Sequence, residues 1–416
     1  MTTRERTDYD YLTATGKMKY LPLTAEDVIS LSPFYTLRPN RSCDSAPLDQ
    51  YLYRNFYQVK YCQFEDALFL MFLSEGNEPD EADPDATSKN ATSKNATSEN
   101  GEKHGEDAQN LEQKNERMEI YGFLPYCKEE DLAHYLKLEE TYFNQVLGIP
   151  LVMTSADQEG VACLKETDAL TGYEVNEVED IRDYLYDAES LRTLAGRKYT
   201  KKRNHINKFL KAYEGRWEYR TLTYADHEEV LAFLKKWMEA KLAVGEEGGV
   251  DENGEAFDPE EELRGEFLGI QDILSHENLF NHIRAGAIYL DGELKAFSMG
   301  DYNEKEKVAI ISIEKADPEI PGLYQMINQQ FARHAYPDAL LINREDDVGI
   351  EGLRKSKMSY YPVDFEKKYV ITQKNFPVKQ TGCGADQTEK EKREDRFTEK
   401  SEKIEKSENS GESAGE

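Results

Sequence analysis

The second half of the chain alternates between segments of helical periodicity and short apolar runs typical of strands. Two of these runs flank Asp291-Gly292, and an Asp-Gly pair between apolar segments is a strong signal for a tight β-hairpin. The first predicted element is a helix at 225–242, and a second helix ends near residue 274. Strands at 285–290, 294–302 and 308–314, a helix at 324–335 and a strand at 339–343 follow. This order is typical of an α/β or α+β domain built on a sheet.

The first half shows the same alternation. Thr24 precedes a segment of helical periodicity, and threonine is a residue type that caps helix N-termini. The predicted elements after this first helix are strands at 66–73, 119–124 and 161–166, a helix at 129–147 and a helical region that opens at 180–186. The whole chain is therefore predicted to be an α/β protein.

Two polar tracts interrupt this pattern. Residues 75–117 contain the repeat ATSKN-ATSKN-ATSEN, and residues 377–416 are rich in Glu, Lys and Ser. Neither tract has enough apolar residues to offset the entropy lost on ordering. We therefore predict a flexible N-terminus at 1–16, a first domain at 17–178 with a disordered insert at 75–117, a second domain at 179–376 that includes a basic helix at 197–211, and a disordered tail at 377–416.

Several function classes are disfavoured by what the sequence contains. No apolar run approaches the roughly 18 residues that span a bilayer, and the N-terminus lacks the apolar centre of a secretory signal, which predicts a cytoplasmic protein. The five cysteines form no C-x-x-C pair, and the seven histidines form no H-x-x-x-H pair, so no metal site is predicted. The sequence also has no G-x-S-x-G nucleophile motif.

Three blocks, in this order, resemble the catalytic C-terminal domain of phosphatidylglycerol lysyltransferases. They are LAGRKYTKKRNHINKF at 194–209, GAIYLDGELKAFSMGDYNEKEKVAIISIEKA at 286–316, and INREDDVGIEGLRKSKMSYYP at 342–362. The resemblance covers roughly residues 17–372 and implies two tandem GNAT-like domains, each a mixed sheet flanked by helices. The membrane synthases of this family carry a multi-helix membrane region, and no segment here matches it, so the resemblance implies a soluble member.

The first block holds a cluster of basic residues in an otherwise acidic chain of net charge −30. Ile206, Phe209 and Leu210 would give a helix there an apolar face. A basic helix of this kind can bind a phosphate backbone, such as that of tRNA, or another phosphate group. The candidate residues for binding an anionic donor are Lys198, Lys201, Lys202, Arg203 and Lys208. The alternative is an ordinary amphipathic helix whose bases pair with neighbouring acids.

The second block ends in Glu314-Lys315, at the end of a predicted central strand. In GNAT-like folds the sheet splays at this point and the acyl donor enters. A carboxylate there can hold an ammonium group or accept a proton, and a lysine can hold a phosphate or carbonyl oxygen. Pro318 and Pro321 remove N–H donors from the following loop, which disfavours acetyl-CoA as donor. The alternative for Glu314 and Lys315 is a surface ion pair.

The third block places four charged residues and a glycine directly after a short apolar strand. Charges at the carboxyl end of a strand often line a pocket. Arg344 is a candidate for gripping a carboxylate or phosphate, and Glu345 or Asp346 for acting as a base. Gly349 is expected to adopt a positive φ before a helix. The alternative is a capped helix start, with Asp346 or Asp347 accepting from backbone donors.

The leading hypothesis is an acyl- or aminoacyltransferase, with aminoacyl-tRNA as a candidate co-substrate. The acceptor would be a hydroxyl or amine on a small molecule or a lipid head group. The predicted catalytic residues are Glu314, Glu345 and Asp346, and the predicted substrate-binding residues are Lys315, Tyr324, Asn343, Arg344, Lys355, Lys357 and Tyr360. Two alternatives stay open: an N-acetyltransferase using acetyl-CoA, and a non-catalytic module that binds tRNA or a phosphorylated ligand.

Overall fold

A computed structural model describes residues 15–75, 118–244, 249–250, 256–257 and 259–376 of the chain. Predictions that fall on residues 1–14, on the insert beyond residue 75 up to 117, and on the tail at 377–416 lie outside the described residues. In the part that the structure describes, no helix combines the length and apolar character needed to cross a bilayer.

The helices follow most of the predicted boundaries. In chain order they are α1 (Ala25–Leu31), α2 (Pro47–Leu52), α3 (Leu132–Tyr142), α4 (Gln158–Glu166), α5 (Ala188–Thr193), α6 (Thr200–Ala212), α7 (His227–Val244), α8 (Pro259–Leu274), α9 (Glu277–Phe280), α10 (Leu323–His334) and α11 (Glu351–Met358). Thr24 caps α1 as predicted, because its side chain accepts the Asp27 N–H and the Asp27 carboxylate accepts the Thr24 N–H.

The strands form two large sheets and one small hairpin. They are β1 (Leu21–Pro22), β2 (Lys60–Phe64), β3 (Ala67–Glu75), β4 (Met118–Gly122), β5 (Val152–Asp157), β6 (Tyr173–Glu177), β7 (Asp183–Asp187), β8 (Trp217–Thr221), β9 (Gly249–Val250), β10 (Ala256–Phe257), β11 (Arg284–Leu290), β12 (Glu293–Asn303), β13 (Val308–Ala316), β14 (Leu341–Asn343), β15 (Asp364–Glu366) and β16 (Lys368–Gln373). The predicted hairpin at Asp291-Gly292 joins β11 to β12.

Each large sheet has seven strands and is mixed. The first has the order β1-β2-β3-β4-β5-β16-β6, and the second has the order β15-β7-β14-β13-β12-β11-β8. One neighbouring pair in each sheet is parallel, β4 with β5 and β13 with β14. The predicted class is confirmed: the protein is α/β, with two mixed sheets flanked by helices.

Helices cover both faces of the second sheet. On one face α6 and α10 bury Phe209 and Ile327 against the sheet, and on the other face α7 and α8 bury Val230 and Ile270. A continuous apolar core on each face stabilises the central strands, at roughly 25 cal/mol per Å² of apolar surface removed from water. β13 is therefore held firmly between two helical layers.

A β-bulge in β13 decides which way its last residues point. Met299 of β12 pairs with Ile313 and Gly300 pairs with Ile311, so Ser312 has no partner in the ladder. A bulge reverses the alternation of side chains beyond it. Glu314 consequently lies on the α10 side and Lys315 on the α8 side. Gly300 permits the bulge, because a Cβ there would collide with the Ile310 carbonyl oxygen.

Two predicted elements are wrong in type. Residues 161–166 were predicted as a strand but lie in helix α4, which Asp157 caps by accepting the Gly160 N–H at 2.8 Å. Residues 180–186 were predicted to open a helix, yet they lead into strand β7, whose side chains are buried on both faces. A strand buried on both faces loses the alternation that identifies strands in a sequence.

The last two strands cross between the sheets. β15 pairs with β7 in the second sheet, and β16, which starts two residues later, pairs with β5 and β6 in the first sheet. The predicted domain boundary at residues 178 and 179 stays a prediction, but one strand of the second predicted domain completes the first sheet.

Candidate functional site

A cavity opens where β13 and β14 separate. The two strands pair only from Val308 with Leu341 to Ile310 with Asn343, while β13 continues alone on that side to Ala316. This strand-end cavity has a volume of about 560 Å³ and is lined by Trp237, Lys241, Leu242, Leu263, Glu314, Lys315, Tyr324, Gln325, Arg344, Leu353, Ser356, Lys357 and Tyr360. The sheet splay predicted for this position is therefore present, and predicted residues lie around it.

Glu314 and Arg344 face each other across the gap between the strands. Arg344 Nη2 lies 3.3 Å from Glu314 Oε1, and Asn328 Nδ2 on α10 donates to Glu314 Oε2 at 3.0 Å. Arg344 Nη1 and Asn328 Oδ1 are buried without a hydrogen-bond partner among the described residues. Arg344 lines the cavity and Asn328 does not, so of the two groups it is the guanidinium that can offer its N–H to a ligand there.

Lys315 is engaged by the protein itself. Its ammonium donates to both carboxylate oxygens of Glu266 on α8, each at 2.7 Å, and lies 4.5 Å from the centroid of the Trp237 ring. Tyr324 accepts a hydrogen bond from the Trp237 indole at 3.4 Å. The predicted binding residues Lys315 and Tyr324 therefore do line the cavity, as parts of a wall built with two helices.

Glu345 and Asp346 lie behind the cavity wall and do not line it. Glu345 adopts a left-handed φ of 59° and donates its N–H to Asn343 Oδ1 at 2.7 Å. Burial raises the pKa of Glu345 to about 8. Burial also raises the pKa of Asp346, although the Lys368 ammonium, 3.5 Å away, opposes the rise. Their predicted catalytic role stays a prediction.

A buried cluster holds the segment after β14 in place. Asn343 donates to the Arg41 carbonyl oxygen at 2.8 Å and to Asp183 at 2.7 Å, so it lies in the core and not at the cavity. Asp183 and Asp44 accept from Lys368 at 2.7 and 2.6 Å, and Cys43 Sγ lies 3.2 Å from the same ammonium. Cys43 is close enough to Asp44 and Asp49, and also to Asp183 and Asp346, for either group to hold a metal ion, but the Lys368 ammonium lies among these side chains.

Two of the three residues predicted for the helix after Gly349 and its C-terminal end line the cavity, and one does not. Lys357 lines it and donates to the Asp346 carbonyl oxygen, and burial lowers the pKa of Lys357. Tyr360 lies with its ring 4.9 Å from the Arg344 guanidinium. Lys355 points to solvent, pairs with Glu351 at 2.5 Å and does not line the cavity. Gly349 has a φ of 75°, as predicted.

The basic residues of α6 line a second cavity beside the first. This basic groove has a volume of about 610 Å³ and is lined by Arg197, Lys198, Thr200, Lys201, Lys202, His205, Gln325, Ser359 and Tyr361. Gln325 lines both cavities. Burial, reinforced by the charge of Arg344, lowers the pKa of Lys202 to about 8, and its ammonium donates to Ser359 at 2.6 Å.

Two of the predicted donor-binding residues lie outside the groove. Arg203 donates to the carbonyl oxygens of Leu194 and Gly196, so it closes the turn before α6. Lys208 is exposed and does not line the groove. The basic residues of the groove therefore come from the first turn and a half of the helix and from the turn before it, while Gln325, Ser359 and Tyr361 complete its lining.

Sequence reasoning missed several residues of the site. Trp237, Leu242 and Leu263 come from α7 and α8, which have helical patterns but no motif that marks them as cavity walls. Asn328 lies five residues after Leu323, where α10 begins, and is 1 % exposed. A buried asparagine on an apolar helix face was the available signal, since such a group requires a polar partner.

The raised pKa of Glu345 gives a prediction about stability. Its folded pKa of about 8 lies above its ordinary value of about 4.5, so the folded state binds the proton more tightly. This stabilising contribution is complete below about pH 4.5 and is lost as the pH rises through about 8. We expect Glu345→Gln, which cannot ionise, to gain stability relative to the wild type over that window.

Urea denaturation of both proteins at about pH 5, 6.5 and 8 measures the difference. Glu351→Gln, a change at an exposed carboxylate of α11, is the control and should follow the wild-type profile. Parallel profiles for Glu345→Gln and the wild type would contradict the prediction.

Comparison with known proteins places the chain in a family. Residues 102–372 match the family described as phosphatidylglycerol lysyltransferase, C-terminal. A conserved protein of unknown function from Bacteroides thetaiotaomicron VPI-5482 is 24 % identical, with a TM-score of 0.64, and the match covers 86 % of this chain and all of that one. The C-terminal domain (DUF2156) of a proposed lysylphosphatidylglycerol synthetase from Agrobacterium fabrum is 15 % identical, with a TM-score of 0.50, over 85 % of this chain and 93 % of that one.

An uncharacterised protein of Mycoplasmoides gallisepticum is 26 % identical over 214 residues, which is 49 % of this chain and 63 % of that relative's length. The two solved structures share the fold of this chain, and the family match covers more than half of its length. The chain belongs to the family of phosphatidylglycerol lysyltransferase C-terminal domains.

Proposed function

We propose that the protein is an aminoacyltransferase that carries an aminoacyl group from aminoacyl-tRNA to a hydroxyl or amine acceptor. The observation that carries the proposal is the pair Glu314 and Arg344 at the open strand end, where both line the cavity and Arg344 Nη1 lacks a partner among the described residues. An aminoacyl ester offers a matching ammonium group and carbonyl oxygen. The reaction would take place in the cytoplasm, where charged tRNA is present.

The reaction requires the protein mainly to position the donor and the acceptor. Glu314 would accept from the α-ammonium group of the donor, and Arg344 would donate to its carbonyl oxygen. The acceptor oxygen or nitrogen attacks the carbonyl carbon, the new ester or amide bond forms, and the bond to the tRNA 3′ oxygen breaks. The proton of the acceptor ends on that departing oxygen.

The basic groove supports an anionic donor. Its cations stand out in a chain of net charge −30, which elsewhere repels a phosphate backbone. Because Gln325 lines both cavities, the groove can hold the end of a tRNA while the acyl group reaches the strand-end cavity. A small molecule or a lipid head group would then supply the accepting hydroxyl or amine.

Acetyl-CoA is the weaker donor candidate. Helix α10 begins after Gly322, whose φ is 89°, and a Cβ there would lie 2.5 Å from the His205 carbonyl oxygen of α6. The start of α10 is thus packed against another helix, and Pro318 and Pro321 reduce the N–H groups available to a pyrophosphate. A non-catalytic module that binds tRNA or another phosphorylated ligand is the remaining alternative. Transfer of an aminoacyl group by the purified protein would exclude this alternative.

Direct binding and transfer assays test the proposal. We expect the purified protein to bind charged tRNA with an affinity that falls as salt rises, and Lys201→Ala to reduce the slope of log K against log salt by about 1. Lys137→Ala on α3, which removes one exposed charge far along the chain from α6, is the control and should leave the slope unchanged. Tight binding of acetyl-CoA without binding of charged tRNA at low salt would contradict the proposal.

A further inference from the structure

Two consecutive tyrosines lie at the boundary between the strand-end cavity and the basic groove. Tyr360 is 4 % exposed and lines the cavity, with its ring centroid 4.9 Å from the Arg344 guanidinium and 3.8 Å from the Lys202 ammonium of the groove. Tyr361 is 44 % exposed and lines the groove. Because neighbouring Cα atoms are only about 3.8 Å apart, a ligand on the Tyr361 ring lies close to the cavity wall.

The Tyr361 ring combines an exposed aromatic surface with nearby cations. The Lys198 ammonium lies 5.3 Å from its centroid, and the Tyr199 ring meets it at 89°, so this ring contact is perpendicular and not a parallel stack. Single exposed aromatic residues are common on protein surfaces. An exposed ring inside a basic groove is different, because proteins that bind single-stranded nucleic acids use this combination: bases stack on the ring while cations hold the phosphates.

The backbone of Tyr361 is in a conformation that disfavours a large side chain. Its φ is 58°, in the left-handed region, and Pro362 follows it, although a residue before proline prefers an extended backbone. The Tyr361 N–H donates to the Met358 carbonyl oxygen at 3.0 Å, and the Tyr199 hydroxyl donates to the Tyr360 carbonyl oxygen at 3.0 Å, which hold this conformation. Glycine or asparagine would fit there with less strain, and retained strain of this kind clusters at ligand-binding sites.

We propose that Tyr361 is the stacking platform for an unpaired nucleobase, that of the 3′-terminal nucleotide of the tRNA, with Lys198 and Lys201 holding its phosphates. The inference rests on the proposed function, because it places in the groove the nucleotide that carries the aminoacyl group. The ribose of that nucleotide bears the ester, so it has to lie where the two cavities meet, and Tyr361 is next to the cavity residue Tyr360. The adenine of coenzyme A has the same stacking chemistry, so the test includes it.

Binding of uncharged tRNA with and without its 3′-terminal adenosine tests the proposal. We expect loss of this adenosine to weaken binding to the wild type by about 10-fold, a typical contribution of one stacked base. Tyr361→Asn should bind the intact tRNA about 10-fold more weakly than the wild type and should not distinguish the two tRNAs. Tyr361→Phe should still distinguish them, because stacking needs the ring and not the hydroxyl. Asparagine tolerates the left-handed region, so Tyr361→Asn should fold.

Two comparisons show whether the lost affinity comes from stacking. Val363→Asn is the matched control, because Val363 is 55 % exposed, follows two residues later and does not line the groove. Its affinity for both tRNAs should equal that of the wild type. Tyr361→Asn should leave the slope of log K against log salt unchanged, since a stacked base releases no counterions, whereas Lys201→Ala reduces that slope.

The outcomes separate this inference from the proposed function. Equal affinity of Tyr361→Asn and the wild type for intact tRNA, or an equal loss on the tRNA without its terminal adenosine, overturns the inference. Weaker binding of acetyl-CoA to Tyr361→Asn with unchanged tRNA affinity assigns the ring to coenzyme A and also overturns it. Because binding needs no turnover, loss of terminal-base recognition in Tyr361→Asn supports the inference even if no transfer is detected, in which case only the proposed reaction fails.

Discussion

Replacing Lys368 by methionine is expected to lower the free energy of unfolding by about 3–5 kcal/mol, the usual cost of breaking a buried ion pair by removing one partner. The Lys368 side chain is 1 % exposed, and its ammonium lies within 2.7 Å of both Asp44 and Asp183. Methionine has a similar length but no charge. The substitution would therefore leave two carboxylates close together in the core with no cation between them.

The neighbouring residue provides a matched control. Lys367 precedes Lys368 directly, has a side chain 47 % exposed, and pairs with Glu177 at the surface. Lys367→Met should cost no more than about 1 kcal/mol, since exposed ion pairs contribute little. Urea denaturation at neutral pH measures both variants. Equal losses in the two variants would contradict this account.

The same cluster matters for the site because it is continuous with the segment that carries Arg344. Asn343 donates to Asp183, and the Asp346 carboxylate lies 3.5 Å from the Lys368 ammonium. Arg344 lies between these two anchored residues. The buried cluster thus fixes the backbone from which the guanidinium reaches Glu314, which explains why a lysine from the first sheet supports a cavity in the second.

Much of the second half could be predicted from the sequence, because its signals are local. The Asp291-Gly292 turn, the apolar runs beside it and the periodicity of α10 each depend on neighbouring residues only. Elements buried on both faces were harder to predict. β7 lacks clean alternation, so its type follows from the tertiary packing around it. The helix α4 buries Gly160, Val161 and Leu164 at helical spacing, but it is short, and a short apolar run does not distinguish helix from strand.

The residues of the candidate site also fall into those that the sequence predicted and those that only the tertiary structure brings together. Glu314 and Arg344 were predicted because charges at the ends of central strands meet where the strands separate. The bulge at Ser312, which sends Glu314 and Lys315 to opposite faces, has no sequence signal beyond Gly300 in the neighbouring strand. Trp237 and Leu263 come from helices distant in sequence, and only the fold brings them to the cavity. Lys355 lies on the correct helix but on its solvent face.

Replacing Glu314 by glutamine is expected to lower kcat/KM for aminoacyl transfer by about 100-fold or more. The carboxylate is the one acidic group among the described lining residues, and we assign it the α-ammonium group of the donor. Removing one partner of a buried charge pair costs about 2–5 kcal/mol, most of it from leaving the other charge unpaired. Glutamine has the same shape: its amide oxygen can accept from Arg344, and its amide nitrogen can donate to Asn328 once the Asn328 amide flips, so the fold should be retained.

Glu293→Gln is the matched control, because Glu293 is a carboxylate of the adjacent strand β12 with a side chain 76 % exposed, and its activity should equal that of the wild type. Affinity for uncharged tRNA should be unchanged in Glu314→Gln, because the basic groove and not the strand-end cavity would hold the nucleic acid. Loss of transfer with retained tRNA affinity is the signature of a group that acts on the aminoacyl end. Unchanged transfer would remove Glu314 from the reaction, and a parallel loss of tRNA affinity would place it in donor binding instead.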